Sequence, residues 1–134
     1  MIRMTMLALA LTLVAATPAG ADLRPLLNAI RQVESGGNNR AVGDAGKSKG
    51  PLQIQIGYWT DGGGKAEDYE RMVWNVEASE RIVLGYWRRY CPKALAAGDL
   101  ETLARVHNGG PAGARKRATL KYWQRVEADL AKGR

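Results

Sequence analysis

The chain of 134 residues has little of what builds a disulfide framework or a metal site. Cys91 is its only cysteine and His107 its only histidine. No internal disulfide can form, so packing alone must hold the core, helped by four tryptophans and five tyrosines. No metal-ligand spacing is present, and we expect no metal or other cofactor. We expect the lone cysteine to be buried and inert; the alternative is pairing with another chain.

A long hydrophobic run is also missing, and the apolar run near the start of the chain is short. Residues 1–21 combine a cationic start at Arg3, this apolar run and a small-residue end at Ala21. That pattern predicts a secretory signal peptide cleaved after Ala21. An uncleaved anchor is the alternative, although a membrane span needs about 20 apolar residues. We therefore expect a secreted or periplasmic protein, not stably inserted in a membrane after cleavage, with residues 22–134 as one domain.

Acidic residues are fewer than basic ones: the chain has 13 aspartates and glutamates and 20 lysines and arginines. The formal net charge of +7 suits an anionic partner such as a cell-wall polymer, a lipid surface or nucleic acid, but it also serves solubility alone. No recognition helix or aromatic RNA-binding motif is visible, so we expect no nucleic-acid partner. The chain carries no internal repeat, and we expect a monomer.

Hydrophobic spacing predicts an α+β domain that is mainly helical, with one small β-hairpin or ribbon after the first helix. The helices are predicted over four segments: Asp22 to about Ser35, Tyr69 to Tyr90 with a break near Trp74, Leu100 to the HNGGP sequence, and roughly Ala118 to Lys132. The connector CPKALAAGD has room for a further short helix.

The hairpin is predicted from the stretch PLQIQIGYW, residues 51–59, in which apolar and polar side chains alternate as in a half-buried strand. Its turn is expected around residues 45–50. Gln53 and Gln55 then face away from the core. Amide side chains both donate and accept, so they suit the hydroxyl and N-acetyl groups of a sugar; a solvent-facing strand edge is the alternative.

A carboxylate lies on the apolar face of the first helix, where Glu34 follows Ile30 by one turn. Partial burial raises the pKa of such a carboxyl, so Glu34 can hold a proton near neutral pH and give it to a leaving group. Asp44, in a polar glycine-bearing stretch, is expected to stay solvated, hydrogen-bonded and ionised. Two carboxyls in unlike surroundings are the arrangement of glycoside cleavage. Alternatively, Glu34 only bonds a neighbouring group and Asp44 only shapes a turn.

Four blocks, VESGG, AVGDAGKSKGPLQIQIGYW, LARVHNGGP and ATLKYWQRV, resemble in that order the invertebrate-type lysozymes, or destabilase family. They are also similar to short exported bacterial proteins of the lysozyme-like superfamily. The resemblance implies a lysozyme-like fold and hydrolysis of the β-1,4 bond between N-acetylmuramic acid and N-acetylglucosamine. It implies Glu34 as the general acid and Asp44, shifted by one residue relative to Gly50, as nucleophile or stabiliser. The disulfides of animal members have no counterpart here.

Further side chains are expected to contact the substrate, which the resemblance implies is the glycan strand of peptidoglycan. Tyr58 is favoured for a wall on which sugar rings stack, and Trp59 for core packing. The H-N-G-G-P block of the resembling family lies beside the cleft, which implies substrate contact by His107 or Asn108; alternatively, His107 is a structural group at a helix end. Ser48, between two lysines, is expected in a solvated loop.

Two other functions stay open at this point. A lytic transglycosylase would use Glu34 alone and let the muramyl 6-hydroxyl close an anhydro ring, so that Asp44 would matter little. A wall-binding protein of lysozyme shape would bind peptidoglycan without turnover. The mass of the released muropeptides separates hydrolysis, which adds water, from transglycosylation, which does not.

Overall fold

Seven α-helices, one β-hairpin and several short 3-10 helices lie within residues 22–133, the part of the chain that the computed structural model describes. The helices are α1 (Arg24–Ser35), α2 (Ile56–Asp61), α3 (Tyr69–Met72), α4 (Val76–Tyr90), α5 (Pro92–Ala97), α6 (Leu100–Gly109) and α7 (Leu120–Leu130). The hairpin consists of β1 (Val42–Gly43), β2 (Ser48–Lys49) and a 3-10 turn (Asp44–Gly46) between them. The predicted signal peptide lies outside the described residues.

The predicted helices are confirmed, and local sequence signals fix their ends. Gly36 ends α1 in the left-handed conformation, with φ of 61°. The predicted break before α4 falls at Asn75, whose side chain accepts the backbone N–H of Ala78. In the same way Asp99 caps α6 by accepting the N–H of Thr102. Over the described residues, every helix is too short or too polar to span a membrane.

The core lies between the four longer helices α1, α4, α6 and α7. Ile30, Val83 and Val126 are fully buried there. Trp87 of α4 is also fully buried, and its indole N–H donates to the carbonyl of Leu103 in α6 at 2.9 Å. Helices α1 and α7 pack along each other, which brings the end of α1 beside the start of α7. This packing positions the last turn of α1, which contains Glu34.

The strand predicted over residues 51–59 is wrong. The chain turns at residues 51–53, and only Ile54 joins the hairpin, through an isolated bridge to Lys49. Helix α2 then begins at Ile56. The alternation of apolar and polar residues therefore reflects a turn that buries Leu52 and Ile54, followed by a helix that leaves Ile56 exposed.

Backbone conformation at two positions explains this turn. Gly50 has a φ of 81° and packs so closely on Val73 that a Cβ atom would lie 2.1 Å from the carbonyl oxygen of Val73. Gln53 has a φ of 51°, in the left-handed region that non-glycine residues rarely adopt. The turn buries Leu52 and Ile54 in the core, as their apolar side chains require.

Candidate active site

A cleft of about 300 Å³ is bounded by the end of α1, the hairpin, α2, α4 and the end of α6. The six residues proposed from the sequence all line it: Glu34, Asp44, Gln53, Tyr58, His107 and Asn108. Ser48, Asp61 and Tyr86 also line it, and the sequence pattern did not single them out for the cleft. The fold thus brings distant segments of the chain together around one cavity, while the role of each residue stays a prediction.

Glu34 lies in the last turn of α1, half-buried at the cleft. Burial, which disfavours the charged form, raises the pKa of its carboxyl from the ordinary 4.5 to about 7. The Tyr122 hydroxyl opposes this rise, the negative charge of Asp44 adds to it, and the positive charge of Arg125 opposes it again. At neutral pH a large fraction of Glu34 therefore carries a proton, as a general acid requires.

Asp44 starts the hairpin turn, is exposed, and has a φ of 50°. Ser48 donates its hydroxyl hydrogen to Oδ2 of Asp44, and the side-chain amide of Gln55 donates to the Ser48 oxygen at 3.2 Å. Asp44 is thus solvated and hydrogen-bonded, as predicted. The solvated loop expected for Ser48 is wrong: its side chain is buried on the inner side of β2, because strand alternation turns Lys49 the other way.

His107 is held by protein groups at both ring nitrogens. Nε2 lies 3.2 Å from the backbone oxygen of Leu52, and Nδ1 lies 2.8 Å from the hydroxyl of Tyr58. Because a carbonyl can only accept, Nε2 carries the proton, and Nδ1 accepts the hydrogen of Tyr58. Burial lowers the pKa of His107 to about 4, so the ring is neutral at pH 7. His107 therefore fixes the direction of the Tyr58 hydroxyl.

The ring of Tyr58 packs against a second tyrosine in the cleft. Its centroid lies 3.8 Å from that of Tyr86 at an interplanar angle of 6°, and Tyr86 meets Tyr90 edge to face. One face of Tyr58 is therefore covered by protein rather than open to a sugar ring. Trp59, the next residue, is 2% exposed and donates its indole hydrogen to the carbonyl of Lys65, so the prediction that it packs in the core is confirmed.

The side chain of Gln53 binds the backbone at both ends of the hairpin. Its amide nitrogen donates to the carbonyls of Ala41 and Gly50, each at 3.0 Å, and its oxygen occupies the space that a side chain on Gly43 would need. Both amide hydrogens are thus used within the protein, which leaves the oxygen as the group available to a substrate. Asn108, by contrast, is exposed at the edge of the cleft.

Asp61 supplies a third carboxyl to the cleft, at the C-terminal end of α2. Its Oδ2 accepts the hydroxyl hydrogen of Tyr90 at 3.1 Å, and its Oδ1 lies 3.8 Å from Nη1 of Arg89. These contacts hold the carboxylate in place without using all of its lone pairs. The sequence IGYWTD is compatible with a helix that would have placed Asp61 at its end. The strand predicted over residues 51–59 excluded this interpretation.

Comparison with known proteins agrees with this architecture. The sequence profile of the Destabilase family matches residues 24–128. Lysozyme 1 of Crassostrea virginica is 40% identical over 81 residues, which cover 60% of this chain and 44% of that protein, so the match spans less than half of that relative. An invertebrate-type lysozyme of Ruditapes philippinarum is 35% identical over 100 residues, covering 72% of this chain and 73% of that protein.

A solved structure supports the fold directly. The crystal structure of Tapes japonica lysozyme matches with a TM-score of 0.67 at 34% identity, covering 78% of this chain and 87% of that one. The predicted lysozyme-like fold is therefore confirmed. Together with the family match over most of the chain, it shows that this protein belongs to the destabilase family of invertebrate-type lysozymes.

Proposed function

We propose that the protein is an exported glycoside hydrolase of the lysozyme type, which cleaves the β-1,4 bond between N-acetylmuramic acid and N-acetylglucosamine in peptidoglycan. The observation that carries the proposal is the pairing of two unlike carboxyls in one cleft. Glu34 is half-buried with a pKa of about 7, and Asp44 is exposed and hydrogen-bonded. The lysozyme names of relatives at 35% to 40% identity support the substrate class.

In the first step protonated Glu34 gives its proton to the glycosidic oxygen, and the bond from that oxygen to C1 breaks. Positive charge develops on C1 and the ring oxygen of the sugar. Asp44 faces this charge and either stabilises it or attacks C1. The Ser48 hydroxyl holds Oδ2 of Asp44, so Oδ1 is the oxygen turned to the sugar.

In the second step Glu34, now a carboxylate, takes a proton from a water molecule that attacks C1. The hydroxyl adds to C1 and, where Asp44 has attacked, the bond from C1 to Asp44 breaks and restores its carboxylate. The sugar then leaves, and Glu34 is again protonated. If Asp44 forms the covalent intermediate, the configuration at C1 is retained, and the two carboxyls lie about 5 Å apart in the productive complex.

The remaining cleft groups bind and orient the glycan. The exposed amide of Asn108, the oxygen of Gln53 and the carboxylate of Asp61 offer hydrogen bonds to sugar hydroxyl and N-acetyl groups. His107 acts through Tyr58, whose hydroxyl it orients, rather than by its own contact with sugar. The net positive charge of the chain favours association with the anionic wall.

The test is the mass of muropeptides released from purified peptidoglycan by the protein that begins at Asp22. Each cleavage is expected to add one water. Glu34→Gln should lower the rate by a factor on the order of 10² to 10⁴, because it removes the proton donor. Glu67→Gln, at an exposed position outside the cleft, is the matched control and should cleave like the wild type.

Three other results would contradict the proposal. Anhydro products, with full activity in Asp44→Asn, would instead identify a lytic transglycosylase. Intact peptidoglycan that holds the folded protein, with binding unchanged by Glu34→Gln, would identify a wall-binding protein without turnover. Undiminished cleavage by Glu34→Gln would remove the general acid from the mechanism.

A further inference from the structure

A buried hydroxyl beside the cleft lacks an ordinary partner. Tyr122, on α7, is only 7% exposed, and among the described residues its hydroxyl makes no hydrogen bond of regular geometry. Buried hydroxyl groups in folded proteins are nearly always hydrogen-bonded, since an unpaired one costs about 1 to 3 kcal/mol. The position of Tyr122 therefore needs an explanation beyond packing.

The packing of α7 on α1 aims this hydroxyl at Glu34. Arg125 of α7 donates from Nη2 to the backbone oxygen of Val33 at 3.3 Å, which ties α7 to the last turn of α1. Tyr122 lies one helical turn before Arg125, on the same side of α7. Its hydroxyl is thus a neighbour of Glu34, and the Glu34 carboxylate, after burial, is a cause of the raised pKa of Tyr122.

The ionisable groups that face Glu34 come from three elements. Asp44 belongs to the hairpin, Tyr58 to α2, and Tyr122 and Arg125 to α7. Asp44 repels a negative charge on Glu34, and Arg125 attracts one, but Arg125 is exposed and screened by solvent. Only the two tyrosines are sheltered from water and carry a proton that a hydrogen bond can use.

The two tyrosines differ in where that proton goes. Tyr58 gives its proton to Nδ1 of His107, which can only accept because its other nitrogen holds the ring proton. Tyr58 therefore has no hydrogen to offer Glu34. Among the described residues, the proton of Tyr122 is not committed to another group, so Tyr122 keeps a hydrogen that it can donate to the neighbouring Glu34 carboxylate.

We propose that Tyr122 is a positioning residue for Glu34, whose hydroxyl donates a hydrogen bond to the carboxylate that forms when the proton has left. This bond holds the carboxylate toward the cleft while it activates water in the second step. Burial favours the protonated form and Tyr122 favours the charged form, so the same carboxyl can serve as acid and then as base. The catalytic part rests on the proposed function; the hydrogen bond itself does not.

The test is a carbon-13 NMR titration of the Glu34 carboxyl in Tyr122→Phe beside the wild type. Tyr122→Phe keeps the buried ring and removes only the hydroxyl, so the titration midpoint of Glu34 should rise by about one pH unit. Tyr69→Phe is the matched control: it removes a buried hydroxyl that donates to Ile54 at 2.6 Å, and it should leave the midpoint unchanged. A midpoint in Tyr122→Phe that stays constant or falls would overturn the proposal.

A second measurement needs no variant, in case Tyr122→Phe does not fold. In the wild type, the ring carbon that bears the Tyr122 hydroxyl should change its chemical shift with the same midpoint as Glu34, since the bond forms as Glu34 ionises. A ring carbon that is constant through that pH range would contradict the hydrogen bond. Neither titration depends on wall cleavage, so an inactive protein would refute the proposed function and not this bond.

Turnover gives the catalytic part its own test. In Tyr122→Phe, kcat should fall several-fold with KM unchanged, and the alkaline limb of kcat/KM should move to higher pH together with the Glu34 midpoint. A purely structural role of Tyr122 would lower stability without moving that limb.

Discussion

At the scale of single residues, the site depends on the contrast between two carboxyls that share one cleft. Glu34 extends the apolar face of α1, so its side chain is half-buried and its pKa rises to about 7. Asp44 lies in a turn of left-handed backbone, is exposed to water and accepts a hydrogen bond from Ser48. The proposed mechanism uses this contrast, with Glu34 as the proton donor and Asp44 as the carboxyl that faces the sugar.

Asp61 provides a residue-scale prediction. Asp61→Asn keeps the shape of the side chain and an oxygen for Tyr90, but it loses the charge with which, in the proposed function, the carboxylate would bind sugar hydroxyl groups. We expect KM for soluble peptidoglycan fragments to rise by about 2- to 10-fold, with a smaller change in kcat. Asp68→Asn, outside the cleft and paired with Arg71, is the control. Equal KM values in the two variants would exclude Asp61 from substrate binding.

At the scale of elements, the helices could be predicted from the sequence, while the region after the hairpin could not. The helices carry apolar residues at helical spacing, and local groups such as Asn75 and Asp99 cap them, so each signal lies within its own segment. The turn after Gly50 depends instead on its approach to Val73, which is remote in sequence. A local pattern cannot contain that contact, and the alternation in residues 51–59 therefore suggested a strand.

The same distinction applies to the site. Glu34 could be found because its place on an apolar helix face is a local property, and Asp44 because a polar glycine-bearing turn surrounds it. Tertiary packing determines three features of the site. These are the buried position of Ser48, the approach of Tyr122 to Glu34, and the hydrogen bond between Tyr58 and His107. These residues became visible only when the helices and the hairpin were brought together.

At the scale of the whole molecule, two buried groups make stability depend on pH in opposite directions. The pKa of His107 falls from 6.5 to about 4 on folding, so its contribution is present above pH 6.5 and is lost as pH falls through 4. The pKa of Glu34 rises from 4.5 to about 7, so its contribution is present below pH 4.5 and is lost as pH rises through 7. The two effects largely cancel between pH 4.5 and 6.5.

Glu34→Gln should remove the contribution of Glu34 to the pH dependence of stability and leave that of His107. At pH 8 we expect the free energy of unfolding of the variant to exceed that of the wild type by about 1 to 3 kcal/mol. The reason is that the variant avoids the cost of partly burying a charged carboxylate. The advantage should shrink as pH falls toward 4.5, where Glu34 is protonated. Urea unfolding from pH 4.5 to 8 measures this, with Glu67→Gln expected to match the wild type throughout. A loss of stability in Glu34→Gln at pH 8 would contradict the prediction.

The measurement that bears most directly on the account is the titration of the wild-type Glu34 carboxyl, followed by its carbon-13 chemical shift in the folded protein without substrate. We expect a midpoint near pH 7, since burial at the end of α1 outweighs the groups that favour the anion. A midpoint near the ordinary value of 4.5 would contradict it, because Glu34 would then carry no proton to donate at neutral pH.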